Sequence, residues 1–157
     1  MIIKQLIDED FVNYKKPSMF IGFPLCSWKC EVECGEGVCQ NGSLANSPDI
    51  NISIEEICNR YMENDLTHAL VFGGLEPFDT WDSLLLLISH MRKHTDDDIV
   101  IYTGYYSDEI TNAINILKSY PNIIVKFGRY IPNQNPHFDD ILGVDLASDN
   151  QYAKKIS

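Results

Sequence analysis

The sequence predicts an α/β domain on a mainly parallel, curved sheet, in effect a partial (βα) barrel. Three observations carry this. Four short apolar runs recur along the chain, amphipathic stretches lie between them, and the runs are continuous rather than alternating. Continuous apolar strands suit a parallel sheet covered on both faces. Four strands are too few for a closed barrel, which takes about eight. The 157 residues fit a single domain, residues 1–157, able to bury a core without disulfides.

The elements follow in order. The first strand is "SMFIGFPL" (Ser18 to Leu25), bounded by Pro17. A cysteine-rich loop comes next. "SIEEICNRYMEN" reads as a helix: Ser53 is the N-cap, Glu56 stands at capping-box spacing, and Ile54, Ile57, Cys58 and Tyr61 share a face. "THALVFGG" (Thr67 to Gly74) is the second strand and "DTWDSLLLLISHMRKH" the helix after it. "DDIVIYTGY" (Asp97 to Tyr105) is the third strand. "SDEITNAINILKSY" follows as a helix with Ser107 as N-cap and Pro121 as its stop. "NIIVKFG" (Asn122 to Gly128) is the fourth strand. Ligands of such sheets bind at the carboxyl ends of the strands. The unusual segments all fall there: the cysteine loop, "GGLEP" (Gly73 to Pro77), "TGYY" (Thr103 to Tyr106) and "GRYIPNQNPH".

Charge and thiols narrow the chemistry. With 12 basic and 23 acidic residues the net charge is −11, which opposes nonspecific nucleic-acid binding. The longest apolar run, "LLLLI", is far short of a membrane span, and "MIIKQLIDEDFVNYKK" carries no charged-then-apolar leader pattern. The expected location is the cytoplasm, where thiols stay reduced. Cys26, Cys30, Cys34 and Cys39 are spaced C-x3-C-x3-C-x4-C. Zinc knuckles and thioredoxin-like sites both use C-x2-C, absent here, whereas a thiolate-rich, Gly-bearing loop suits an iron–sulfur cluster.

Cys26-x3-Cys30 after the first strand, then "VFGGLEP" after the second, resembles the radical S-adenosylmethionine superfamily and its GGEP element. "IYTGY" (Ile101 to Tyr105) and "VKFGRYIP…ASDNQ" (Val125 to Gln151) resemble segments of anaerobic ribonucleotide reductase activating proteins, which are glycyl-radical enzyme activases. The resemblance implies a partial barrel of that superfamily's type and a [4Fe–4S] cluster with one open iron. It implies S-adenosylmethionine held by Gly73, Gly74, Glu76, Pro77, Thr103, Tyr105, Ser148 and Asn150. The implied reaction is reductive cleavage to a 5′-deoxyadenosyl radical that takes hydrogen from a glycine of a partner enzyme. An electron donor such as flavodoxin or ferredoxin is implied as well. The family's cysteine motif is C-x3-C-x2-C, but residue 33 is Glu. Cys39-Gln40-Asn41 keeps the Asn that follows the third cysteine, so the resemblance assigns Cys26, Cys30 and Cys39, with residues 33–38 as an inserted bulge. Cys34 is the alternative third ligand. Leu75 is a second departure, lying inside the Gly-Gly-Glu-Pro element.

Plainer roles stand beside these. Cys58 on an apolar helix face reads as a small core residue. His68, His90 and His94 read as surface or structural groups, and His137 as a loop histidine. Trp28 either shields a cluster or packs; Tyr102 and Tyr105 read as half core, half pocket wall. Glu31, Glu33 and Glu36 form an acidic bulge expected to face a protein partner. A radical enzyme acting on a peptide or small molecule, an iron–sulfur electron carrier or adaptor, and a zinc-holding interaction module remain as alternatives.

Overall fold

The structure, a computed structural model, describes residues 1–157. In chain order its elements are β1 (Ile2–Ile3), β2 (Gln5–Asp10), β3 (Ser18–Phe23), α1 (Lys29–Cys34), α2 (Gly42–Ala45), β4 (Ile50–Asn51) and α3 (Ile54–Met62). Then follow β5 (Ala69–Gly74), a 3-10 turn (Pro77–Thr80), α4 (Trp81–Met91), β6 (Asp98–Tyr102), α5 (Thr111–Leu117) and β7 (Ile123–Phe127). The chain closes with β8 (His137–Asp139), β9 (Val144–Leu146) and β10 (Tyr152–Lys155).

The expected parallel, curved partial (βα) barrel does not form. The central sheet is mixed and six-stranded, in the order β10-β7-β6-β5-β3-β2. The four predicted strands are its parallel middle, β3, β5, β6 and β7. Antiparallel strands end it on both sides: β2 pairs with β3, and β10 pairs with β7. A parallel barrel grows by adding further βα units at an edge, and here each edge is occupied by a strand running the other way. Both edge strands are charged, "QLIDED" and "YAKK", as suits strands that must resist further pairing. That polarity is why the apolar-run criterion did not find them. The five helices are short, four to eleven residues.

Strand alternation sorts the core into two layers. One face of the sheet presents Met19, Ile21, Leu70, Phe72, Ile99, Ile101, Ile123 and Val125 to the helices, where Ile57, Tyr61, Leu84, Leu87, Ile88 and Met91 meet them. The other face presents Phe20, Val71, Val100 and Ile124 to Tyr14, Leu142 and Leu146, which come from irregular chain and from the β8–β9 ribbon. Parallel crossovers of one hand place their helices on one side of a sequentially ordered sheet, so the second face receives none of α3, α4 and α5.

Local signals are met unevenly. Ser53 Oγ accepts from Glu56 N at 3.0 Å, so α3 starts at its predicted cap. The helix expected from Ser107 starts only at Thr111 and has no side-chain cap, because residues around Glu109 are drawn into an ion-pair network described below. The cysteine segment holds two helical pieces, α1 and α2, rather than a plain loop. Phe72 is fully buried and meets Phe23 with ring centroids 5.9 Å apart. Phe72→Ala is expected to cost about 3–5 kcal/mol, read as a lower urea midpoint with an unchanged slope.

Candidate metal centre

The second face opens into a cleft at the strand ends, lined in part by the cysteine segment with its α1 and α2. Moving two residues along each parallel strand from the apolar row Phe20–Val71–Val100–Ile124 leads to Gly22, Gly73, Tyr102 and Lys126. Gly73 lacks a side chain and lines the cleft, whereas the space over Gly22 is taken by Gln5, so the floor drops at Gly73. The cleft holds about 320 Å³, the lower end of the ~300–1,000 Å³ common for small-molecule sites. Cys26, Cys30, Cys39, Gly73, Gly74, Glu76, Thr103, Gly104 and Lys126 are among its lining residues.

The five cysteines are free thiols. Trp28 adopts a left-handed conformation, φ 57°, to turn the chain from Cys26 into α1. That conformation costs about 1–3 kcal/mol for a residue with a Cβ. It lets Trp28 N donate to Cys26 Sγ at 3.3 Å; Asn41 N donates likewise to Cys39 Sγ at 3.4 Å. Burial pushes the Cys26 thiol up to about 11, opposed by the Trp28 N–H and reinforced by Glu76 and Asp79. A thiol in that state is a poor exchange-active nucleophile at neutral pH, whereas a metal strips the proton outright. The donor set therefore fits a thiolate-ligated metal group better than a dithiol redox pair. A Cβ on Gly104 would stand 3.4 Å from Cys30 Sγ, so that glycine keeps space beside the sulfur.

Glu76 locks the rim. Its carboxylate accepts from Phe78 N at 3.1 Å, Thr103 Oγ1 at 2.8 Å and Gly104 N at 2.8 Å, and its backbone N–H donates to Leu25 O at 2.7 Å. Burial raises its pKa to about 7, against the pull of those three donors. Asn41 Nδ2 donates to Gly74 O at 2.6 Å and ties the cysteine segment to the glycine pair. Gly74 has φ 80°, and a Cβ there would lie 2.8 Å from Gly22 Cα.

Of the residues predicted to hold cofactor, Gly73, Gly74, Glu76 and Thr103 line the cleft; Pro77, Tyr105, Ser148 and Asn150 do not. Pro77 starts the 3-10 turn. The Tyr105 hydroxyl donates to Asp79 Oδ1 at 2.6 Å and its ring lies on a separate shallow groove. Ser148 and Asn150 both donate to Arg129 O, at 3.4 and 2.8 Å, and shape the segment behind the wall. Cys26, Cys30 and Cys39 line the cleft and Cys34 does not. Cys58 is core, and His137 pairs with Leu146 in the β8–β9 ribbon.

Lys126 escaped the sequence reading. It is a buried cation in the cleft, its Nζ donating to Gly128 O at 3.0 Å. Burial lowers its pKa to about 8, while Cys30 and Glu76 hold it up. A lysine inside "IIVKF" was the available signal, since a charge within a buried parallel strand needs a partner.

The expected acidic bulge is partly helix. Gly35, φ 74°, caps α1 after Cys34. Glu33, exposed at the surface, pairs with the buried Arg129, 3.1 Å from its Nε. Arg129 also donates to both Glu109 oxygens, at 2.9 and 2.6 Å, and its guanidinium lies 4.6 Å over the Tyr106 ring. Lys29 joins Glu109 at 3.2 Å. So α1, which carries Cys30, is anchored by charge at both ends.

Residues 23–144 match the family model described as a 4Fe-4S single cluster domain. The chain belongs to that family. No curated protein and no solved structure matches it. This single-cluster domain is therefore an iron–sulfur protein, and the thiols that open into its cleft are chemically suited to that metal group. No helix is long and apolar enough to cross a membrane.

Two tests follow from this geometry. Arg129 holds the Glu109 carboxyl at about 2, below its ordinary 4.5. A carboxylate depressed on folding stabilises the fold above its unfolded pKa, and that contribution fades as pH falls from about 4.5 toward about 2. Glu109→Gln should flatten the acid limb of a stability-versus-pH curve in that window. Gly74→Ala should cost about 1–3 kcal/mol in chemical denaturation, because the side chain meets both a left-handed backbone and Gly22.

Proposed function

We propose that the domain holds its [4Fe–4S] cluster through Cys26, Cys30 and Cys39 and cleaves S-adenosylmethionine reductively. The reading continues with hydrogen abstraction from a glycine of a partner protein, after electron delivery by a small redox protein such as flavodoxin or ferredoxin. The observation that supports it most is the lining of one cleft: three thiols, the Gly73–Gly74 backbone and the Lys126 ammonium face the same space. Cys26, Cys30 and Cys39 would hold the cluster there, and the cluster would supply the electron for reductive cleavage of the sulfonium.

The chain's own residues bind and orient. Gly73 brings bare backbone to the cleft, since a Cβ there would press on the Phe20 ring at 3.3 Å. Lys126 is the cationic partner for a ligand carboxylate. Phe20, Leu44 and Leu75 supply apolar wall that keeps water from the reacting atoms. Hydrogen transfer needs near-contact geometry, so a macromolecular substrate must insert a loop at the open rim.

A second reading, a four-thiolate, electron-carrying site, has one observation in its favour: Cys34 follows Cys30 by one turn on α1, so the two share a helix face. Substitutions separate the two. Ser at Cys26, Cys30 or Cys39 should abolish visible cluster absorption, and Cys34→Ser should retain most of the iron. Loss of the cluster in all four variants would favour the carrier. Reduced, loaded protein should release 5′-deoxyadenosine in chromatography of the products. Lys126→Met should weaken S-adenosylmethionine binding by about 10- to 100-fold, the range for losing a charged hydrogen bond. A fully reduced protein that neither binds nor cleaves S-adenosylmethionine would overturn the proposal.

A further inference from the structure

Across the sheet from the cleft, three metal-ligating side chains converge that the cluster does not use. Cys58 Sγ and one ring nitrogen each of His90 and His94 lie within 4.8 Å of one another. Cys58 is in the middle of α3 and only 2% exposed. His90 is in the last turn of α4, and His94 is one turn further on. The connecting turn is fixed by Lys93 N to His90 O at 3.1 Å and His94 N to Met91 O at 2.9 Å. The two rings are 5.3 Å apart between centroids. Residues four apart in a helical turn face the same way, which is how a helix offers two imidazoles to one ion.

The geometry points to a second metal site, in which Cys58, His90 and His94 bind a late first-row divalent cation, zinc foremost, and staple α3 to α4. One thiolate and two neutral imidazoles are a borderline-soft donor set of the kind zinc takes, with a fourth position left for water. Zinc bonds of ~2.3 Å to sulfur and ~2.0–2.1 Å to nitrogen put tetrahedral ligands about 3.3–3.6 Å apart. Closing from within 4.8 Å asks for about 1 Å of movement, which side-chain rotation on two surface histidines supplies. The ligands run from buried Cys58 through half-buried His90 to exposed His94, so the ion has an entry path. Glu55, one turn before Cys58 on α3, is near enough for its charge to be felt there and favours a cation. Binding releases the Cys58 thiol proton to solvent, and no electron is exchanged.

The experiment uses the full chain with its iron–sulfur cluster loaded, so that the cysteine loop is occupied. Zinc is titrated anaerobically, and metal content and zinc-edge X-ray absorption are read. One zinc per chain is expected, with one sulfur and two nitrogen neighbours and unchanged iron. His90→Ala and His94→Ala, both outside the core, should each weaken binding at least about tenfold, and Cys58→Ser should remove the sulfur neighbour. The inference fails if the double histidine variant binds zinc as the parent does. It fails equally if the ion has an all-sulfur shell, which would put it in the cysteine loop, or if the loaded protein takes up no zinc.

Discussion

The carboxylate of Glu76 accepts from Phe78 N, Thr103 Oγ1 and Gly104 N, while its backbone N–H reaches Leu25 O, so the exits of β3, β5 and β6 are held together by one residue. A buried carboxylate without such donors would be driven to protonate, and even with them its pKa is raised to about 7. The cysteine segment, the glycine pair and the Thr103 turn are thereby fixed relative to one another before any ligand arrives. Removing the carboxylate would leave the Phe78 and Gly104 N–H groups without their acceptor and the Thr103 hydroxyl with only the Tyr105 N–H, and the rim would lose its common reference.

Around that lock the sheet divides its faces. The helices α3, α4 and α5 all pack on one side, where the larger core cluster lies. The other side is covered by a smaller apolar cluster and then, at Gly73, opens into the cleft lined by the cysteine segment. The antiparallel edges β2 and β10 stop the sheet at six strands.

The chain is strongly acidic, yet two of its cations are buried beside the site. Lys126 lies within the cleft and Arg129 behind its wall. Arg129 gathers Glu33, Glu109 and the Tyr106 ring, and so anchors α1, which carries Cys30 and Cys34. That pairing gives Glu33 an internal partner and makes the insertion after Cys30 part of the scaffold.

The sequence by itself determined the four parallel strands, the cap of α3, the thiolate-rich segment and its iron–sulfur chemistry, since each is written in a contiguous stretch. Continuous apolar runs, capping spacing and clustered cysteines act over a few residues and need no partner to be recognised. Tertiary structure alone decided the rest. The mixed sheet depends on two charged edge strands, which pair on one side only and so carry no apolar signature. Lys126 is in the cleft, and Tyr105 outside it, because strand register sets which face meets which neighbour, and register is a relation between distant segments. Cys58 looked unrelated to His90 and His94 for the same reason: it is distant from them in sequence, and only the packing of α3 on α4 makes them neighbours.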